Sequence, residues 1–327
     1  MDETPKTGII FSWTIDGTGG GQRVSHSEIS EEIRNAGLAW VHVNDTKRSA
    51  RKWIEREFSY LDRIILDALL ADETHPRYLD HQDGLLLILR GVNLNPDEKP
   101  EDMISLRVWI DSHRIITVEH EQIRTIRDID QALANGIGPT CSGDFLTMLT
   151  EHLFEYMSDT ITRIHDRLDD LEDLMTEKPD VIQSKTVTEL RRVAMKFHRY
   201  IAPQRDVIAH LANAKTTWLD DIHRRDFMED WDKVKHILED MDFLRDRARI
   251  IYEELNSITS QKTNRNLYIL SGIATIFMPL TFITGLFGMN VEGIPGSHQM
   301  NAFIIVTFGT VFFGILLAFI FRRLKWL

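Results

Sequence analysis

"LYILSGIATIFMPLTFITGLFGMN" (267–290) is the stretch whose reading decides the fold. Leu267 to Phe287 holds no charged residue, and at ~1.5 Å per residue a helix of that length spans about 31 Å, the thickness of a bilayer's hydrocarbon core. The run stops on Gly288, Met289 and Asn290. After "VEGIPGSHQ" (291–299) a second uncharged run begins, "MNAFIIVTFGTVFFGILLAFIF" (300–321). Neither run has a polar face for water, so two membrane spans are expected, at about 267–287 and 300–321. Lys262 and Arg265 precede the first span, Arg322, Arg323 and Lys325 follow the second, and the loop at 288–299 has no Lys or Arg. That asymmetry predicts both termini in the cytoplasm and the loop outside, with Trp326 as an interfacial anchor. Two helices cannot enclose a pore alone, so a transport function would require an oligomer.

Ahead of this hairpin lies most of the 327-residue chain. The formal net charge of −12 argues against a general nucleic-acid binder, which would show a basic patch. With one cysteine, Cys141, the chain has no internal disulfide framework and no Cys-rich zinc site, and Cys141 reads as a small buried residue. The acidic start "MDETPKTGII" lacks the apolar segment of a signal peptide.

The first 140 or so residues mix β-like runs, "GIIFSWTI" (8–15), "LAWVHVN" (38–44), "GLLLILRGVNL" (84–94), "MISLRVWID" (103–111) and "RIITVEH" (114–120), with helical spacing at 47–58 and 62–73. The runs at 103–111 and 114–120 predict a hairpin, and "DGTGGGQ" (16–22) predicts a turn rather than a phosphate loop, since it opens no helix. From Gly143 the pattern becomes long helices: 144–177, a break at Pro179, about 181–214, and a third from near Asp220 with no breaker before Gly272. The expected fold is an α+β cytoplasmic domain (1–142), a long-helix stalk (143–264) and a two-helix transmembrane hairpin (265–327).

The third helix carries two stripes. Ile237, Met241, Leu244, Ala248, Ile251, Leu255 and Ile258 form a heptad seam for packing on another helix. About 200° around lie Glu239, Asp246, Glu253 and Ser260, and the same register continues through Asn264, Leu267, Ser271, Ala274, Met278, Thr281, Gly285 and Gly288. Within the span this stripe is mostly small or mildly polar, while Ile269, Ile273, Ile276, Phe277, Leu280, Phe282 and Ile283 beside it are bulky. Small residues allow close helix packing. Equally, five such stripes would line a channel entered past acidic rings. The pattern alone leaves both readings open.

Two C-terminal spans with "GMN" (288–290) closing the first, preceded by "MPLTFITGLF" (278–287), resemble the CorA superfamily of divalent-cation transporters. Further stretches are similar to its zinc-transporting ZntB branch: "WTIDGTGG" (13–20), "THPR" (74–77), "RYIAPQRDV" (199–207), "ITGLFG" (283–288), "EGIP" (292–295) and the terminal "KWL" (325–327). The resemblance implies a CorA-like funnel, a homopentamer in the bacterial inner membrane whose first span lines the pore. It implies that Gly288, Met289 and Asn290 form the outer mouth, with Asn290 meeting the hydrated ion, and that Leu267, Leu270, Met278 and Thr281 match pore positions. It also implies transport rather than catalysis, a divalent metal as cargo with no cofactor, and proton coupling; the stripe offers Glu239, Asp246 and Glu253, with His236 nearby, and the sequence selects none of them. Magnesium transporters of the superfamily commonly follow the motif with an aromatic residue and a more acidic loop. Here Glu292 is the loop's one acid, and that sparse acidity favours zinc over magnesium, cobalt or nickel; Glu292 is expected to concentrate cations at the mouth, and His298 is a candidate zinc contact.

Elementary chemistry agrees with the mouth. A helix C-terminus presents unpaired carbonyls and the negative end of the macrodipole, and a neutral Asn carbonyl can accept from an ion's water shell without stripping it. Asn290 also suits a helix C-cap. No cluster of His, Cys and carboxylate stands at coordination spacing: His75, His81, His113, His120 and His198 are scattered. A membrane-anchored sensor or scaffold remains the alternative of a different class, and it would leave the polar stripe without a role.

Overall fold

Seven strands in the first third of the chain form one sheet: β1 (Ile9–Ile15), β2 (Gly21–Arg23), β3 (Leu38–Asn44), β4 (Arg77–His81), β5 (Gly84–Gly91), β6 (Ile104–Ile110) and β7 (Arg114–Glu119), in the order β2-β1-β3-β7-β6-β5-β4. The structure is a computed structural model that describes residues 8–25, 28, 37–72, 74–289 and 300–323. All neighbouring strands are antiparallel except β3 and β7, so the sheet is mixed.

Alternation along β3 builds a core on each face. Ala39, Val41 and Val43 pack with Trp53, Ile54, Phe58, Ile65 and Leu69 from α1 (Arg48–Glu57) and α2 (Arg63–Leu69). Trp40 points the other way, its ring 4.9 Å from those of Phe11 and Phe145. On that second face lie α3 (Arg124–Ala134) and α4 (Ser142–Glu177). The β6–β7 turn closes on Asp111, whose Oδ1 accepts from His113 N–H and Arg114 N–H, each at 2.9 Å. The glycine-rich segment is a turn, with Asp16 Oδ1 accepting from Thr18 N–H at 2.7 Å and Gly17 and Gly19 at φ +79° and +97°, where a side chain is disfavoured.

The edge strands β2 and β4 were not expected from the sequence. Both are short and mostly exposed, so they carry no alternating apolar signal.

After α4, Pro179–Val181 closes a 3-10 turn, and α5 (Ser184–Ala212) starts behind it. The next helix, α6 (Asp221–Phe287), runs unbroken with Pro279 inside it, and α7 (Ala302–Arg323) is the second apolar span. None of α7's residues is buried, although nearly all are apolar. The chain forms two compact units, one ending at Tyr252 and one beginning at Glu253.

Candidate ion pathway

Where α6 is covered decides which of its faces remains available. In the first unit the expected seam is buried: Ile237, Met241, Leu244, Ala248 and Ile251 are all under 5% exposed. In the second unit the partly covered positions of α6 are Gly272, Ile276, Pro279, Leu280 and Ile283, and those of α7 include Val306, Thr310, Phe313, Gly314 and Leu317. These faces meet at Gly314, where an added Cβ would lie 3.3 Å from Leu280 Cδ1.

The sequence-derived pathway residues lie on the other side of α6. At about 100° per residue, Leu267, Leu270, Ser271, Ala274, Met278, Thr281 and Gly285 centre roughly 180° from the positions that face α7. All seven are exposed, Met278 at 72% and Leu270 at 63%. Threonines beside the stripe bond back into the helix: Thr275 Oγ1 donates to Ser271 O at 2.7 Å, and Thr284 Oγ1 to Leu280 O at 3.0 Å. The helix ends at Phe287, with Gly288 N–H bonded to Thr284 O at 2.9 Å. Gly288 and Met289 follow as exposed turn residues. Asn290, Glu292 and His298 lie outside the described residues.

Residues 35–323 match the CorA-like Mg2+ transporter protein family. The chain belongs to the CorA family. Among its relatives, the divalent cation transporter CmaX of Pseudomonas aeruginosa is 33% identical over 98% of this chain and 97% of its own length. The zinc transport protein ZntB of Yersinia pseudotuberculosis is 30% identical over 97% of this chain and 96% of its own. The solved structure of full-length CmaX superposes with a TM-score of 0.84 at 31% identity, covering 99% of this chain and all of that one. The architecture, an N-terminal α/β part, a long helix and two C-terminal apolar helices, is the CorA-like fold.

Within this CorA-family chain, the acids expected to lead toward the pathway are exposed but have company. Glu239 lies 3.9 Å from Lys235 Nζ and 3.5 Å from His236 Nδ1, and Asp246 lies 3.4 Å from Arg245 Nε. Exposed pairs of this kind contribute ~0–1 kcal/mol, so they shape the local field more than they stabilise. Glu253 is likewise exposed.

Several stretches that carried the resemblance turn out to be joints of the fold. Past Ile88, which lies opposite the start of β4 at Arg77, buried Gln204 of α5 takes that strand's place beside β5: its Oε1 accepts from Arg90 N–H at 2.6 Å and its Nε2 donates to Arg90 O at 3.2 Å. The Arg90 guanidinium lies over Tyr200 at 4.7 Å and donates to the carbonyl oxygens of Met103 and Thr74. "THPR" and "RYIAPQRDV" therefore converge on one arginine. In "WTIDGTGG", Trp13 Nε1 donates to Asp130 Oδ1 at 2.8 Å, tying β1 to α3.

One grouping departs from the expectation that no His, Cys and carboxylate stand together. Cys141, Asp144 and His223 present ligand atoms all within 4.8 Å of one another. Cys141 is half-exposed rather than buried. The spacing hid the group, because His223 is far along the chain and arrives only when the starts of α4 and α6 meet. The legible signal was that both helices open on capping residues, Cys141 with Asp144 and Asp220 with His223.

Proposed function

We propose that the chain is a divalent-cation transporter, with zinc as its principal cargo, working as a homopentamer in the bacterial inner membrane. The supporting observation is that α6's small and polar stripe faces away from α7. A helix with part of its bulky side, Ile276, Leu280 and Ile283, set against its neighbour and its smaller side left open suits a central position in a ring. In this reading five α6 helices line the path with Leu267, Leu270, Ser271, Ala274, Met278, Thr281 and Gly285. Gly288, Met289 and Asn290 form the outer mouth, Glu292 concentrates cations beside it, and Glu239, Asp246 and Glu253 line the cytoplasmic approach. Both termini are cytoplasmic, and the chain divides into an α/β domain at 1–142, a stalk at 143–264 and a membrane part at 265–327. The cargo is the only metal the pathway needs, and no cofactor enters.

The ZntB relative, named for zinc, and the sparsely acidic loop favour zinc. The CmaX relative, named for divalent cations in general, favours the second reading, in which magnesium, cobalt or nickel pass by the same route. Reconstitution into liposomes with zinc or magnesium outside separates the two: zinc flux exceeding magnesium flux in the same vesicles is expected. Asn290→Ala should collapse the flux, and full metal flux in that variant would remove Asn290 from the mouth. Zinc flux indifferent to an imposed pH gradient would rule out proton coupling.

A further inference from the structure

The opening turns of α4 and α6 bring together a set of side chains that the pathway does not use. Cys141 Sγ accepts from Asp144 N–H at 3.4 Å, taking the capping place where Ser or Thr is usual. Asp144 Oδ2 is engaged by Thr140, through its N–H at 3.0 Å and its hydroxyl. That leaves Asp144 Oδ1 turned to His223 Nε2 at 3.0 Å, while Cys141 Sγ lies 3.8 Å from the same nitrogen. Across the ring, Nδ1 lies 2.8 Å from Asp220 Oδ1 and 3.2 Å from Asp220 N. The imidazole rests on the α4 backbone: a Cβ on Gly143 would lie 2.4 Å from His223 Cε1.

Thiolate, imidazole and carboxylate are the donor set of zinc and similar transition metals, and Mg2+ prefers oxygen alone. With Zn–S of roughly 2.3 Å and Zn–N or Zn–O of roughly 2.0 Å, tetrahedral edges come to roughly 3.5 Å for N···S and roughly 3.3 Å for N···O. The observed 3.8 and 3.0 Å lie close to both. The second ring nitrogen with a carboxylate beside it is the arrangement that orients a metal-bound histidine. His223 is 7% exposed, yet the Asp144 side chain is 40% exposed, so a fourth position opens to water.

We propose that Cys141 Sγ, Asp144 Oδ1 and His223 Nε2 form a binding site for a zinc-like transition-metal ion, oriented by Asp220 and separate from the transport pathway. An ion there ties the start of α6 to the start of α4. The proposal rests on these donors alone and stands or falls independently of the transport reading.

Cobalt(II) is the probe, because its thiolate charge-transfer absorption reports sulfur ligation and Cys141 is the chain's one cysteine. Full-length protein in detergent should show that band, saturating near one cobalt per chain, bleached by added zinc and untouched by excess magnesium. Cys141→Ser keeps a capping oxygen and should abolish the band without loss of thermal stability. His223→Gln, Asp144→Asn and Gly143→Ala should each weaken cobalt binding at least tenfold, and Asp220→Asn, which acts only through Nδ1, roughly 10–100-fold. Asn290→Ala must leave the band unchanged. Absence of the band in the unaltered protein, its survival in His223→Gln at full affinity, or its displacement by magnesium would overturn the site.

Discussion

Cysteine scanning of α6 tests the pathway where its geometry is most exposed to failure. Cys141→Ser gives a cysteine-free background in one substitution. Single cysteines then replace Ser271, Ala274, Met278, Thr281 and Gly285, with Ile273, Ile276 and Ile283 as controls. At about 100° per residue the first five fall within an arc of roughly 80°, centred roughly 180° from the α7-facing positions. A cationic methanethiosulfonate reagent attached within that arc places a positive charge on the ion's route. At ~4 Å from a divalent ion the added barrier is about 2 kcal/mol in water and about 8 kcal/mol at the effective dielectric of a protein surface. The smaller figure already slows flux roughly thirty-fold. Metal uptake into proteoliposomes, measured before and after modification, should therefore fall at the five stripe positions and hold at the three controls, with a spacing of three and four residues. Loss of flux at Ile276 and Ile283 with none at Ala274 and Thr281 would refute the reasoning, since the conducting face would then be the one that α7 covers.

Three further outcomes are expected. Gln204→Ala leaves two buried backbone groups of Arg90 unpaired, which costs about 1–3 kcal/mol and, at roughly 2–4 °C per kcal/mol, lowers the melting temperature of the first unit by several degrees in calorimetry. Burial pushes Glu119 up, but His42 at 3.2 Å, Ile123 N–H at 3.0 Å and Arg127 at 3.4 Å outweigh it and hold the carboxyl below its ordinary 4.5. A lowered folded value stabilises fully above that pH and fades as pH falls through the folded one, so Glu119→Gln should lose ~3–5 kcal/mol at neutral pH and show a flatter acid-denaturation slope below about 4.5. Gly314→Leu forces bulk against Leu280 Cδ1, 3.3 Å from where the first added carbon would sit, and under the proposed pentameric reading the overpacking, ~1–3 kcal/mol, should appear as a shift to smaller species on size exclusion in detergent.

What the sequence disclosed follows what each segment buries. β3, β5, β6 and β7 are covered on both faces and announce themselves as runs of Val, Ile, Leu and Trp. β2 and β4 are edges with solvent on most side chains, and nothing apolar marks them. The stripe on α6 was legible because helical periodicity is arithmetic on residue numbers. Which side α7 covers was not, because it depends on a contact such as Gly314 against Leu280, between residues on different helices. The grouping of Cys141 and Asp144 with His223 was hidden for the same reason. "RYIAPQRDV" was legible as a resemblance but not as a role, since only the start of β4 at Arg77, opposite Ile88, shows why a glutamine must reach the backbone of Arg90.

The register of α6 ties these observations to function. Continuing the seam of Ile237, Met241, Leu244, Ala248 and Ile251 by alternate steps of four and three residues leads to Gly272, Ile276, Pro279 and Ile283, the positions that α7 partly covers. Continuing Glu239, Asp246 and Glu253 in the same way leads to Leu267, Ser271, Ala274, Met278 and Thr281. The same heptad count thus names a packed set and an open set in each unit, a match of sequence pattern, since a straight helix turns such a count by ~20° per heptad; the second stretch is apolar enough to meet lipid. A helix that merely anchored a soluble unit would be free to change phase at the membrane, because lipid favours no direction. Keeping the count in both stretches supports the proposed transport reading, in which Glu239 in the first unit and Gly285 in the second belong to the sets that α6 leaves open.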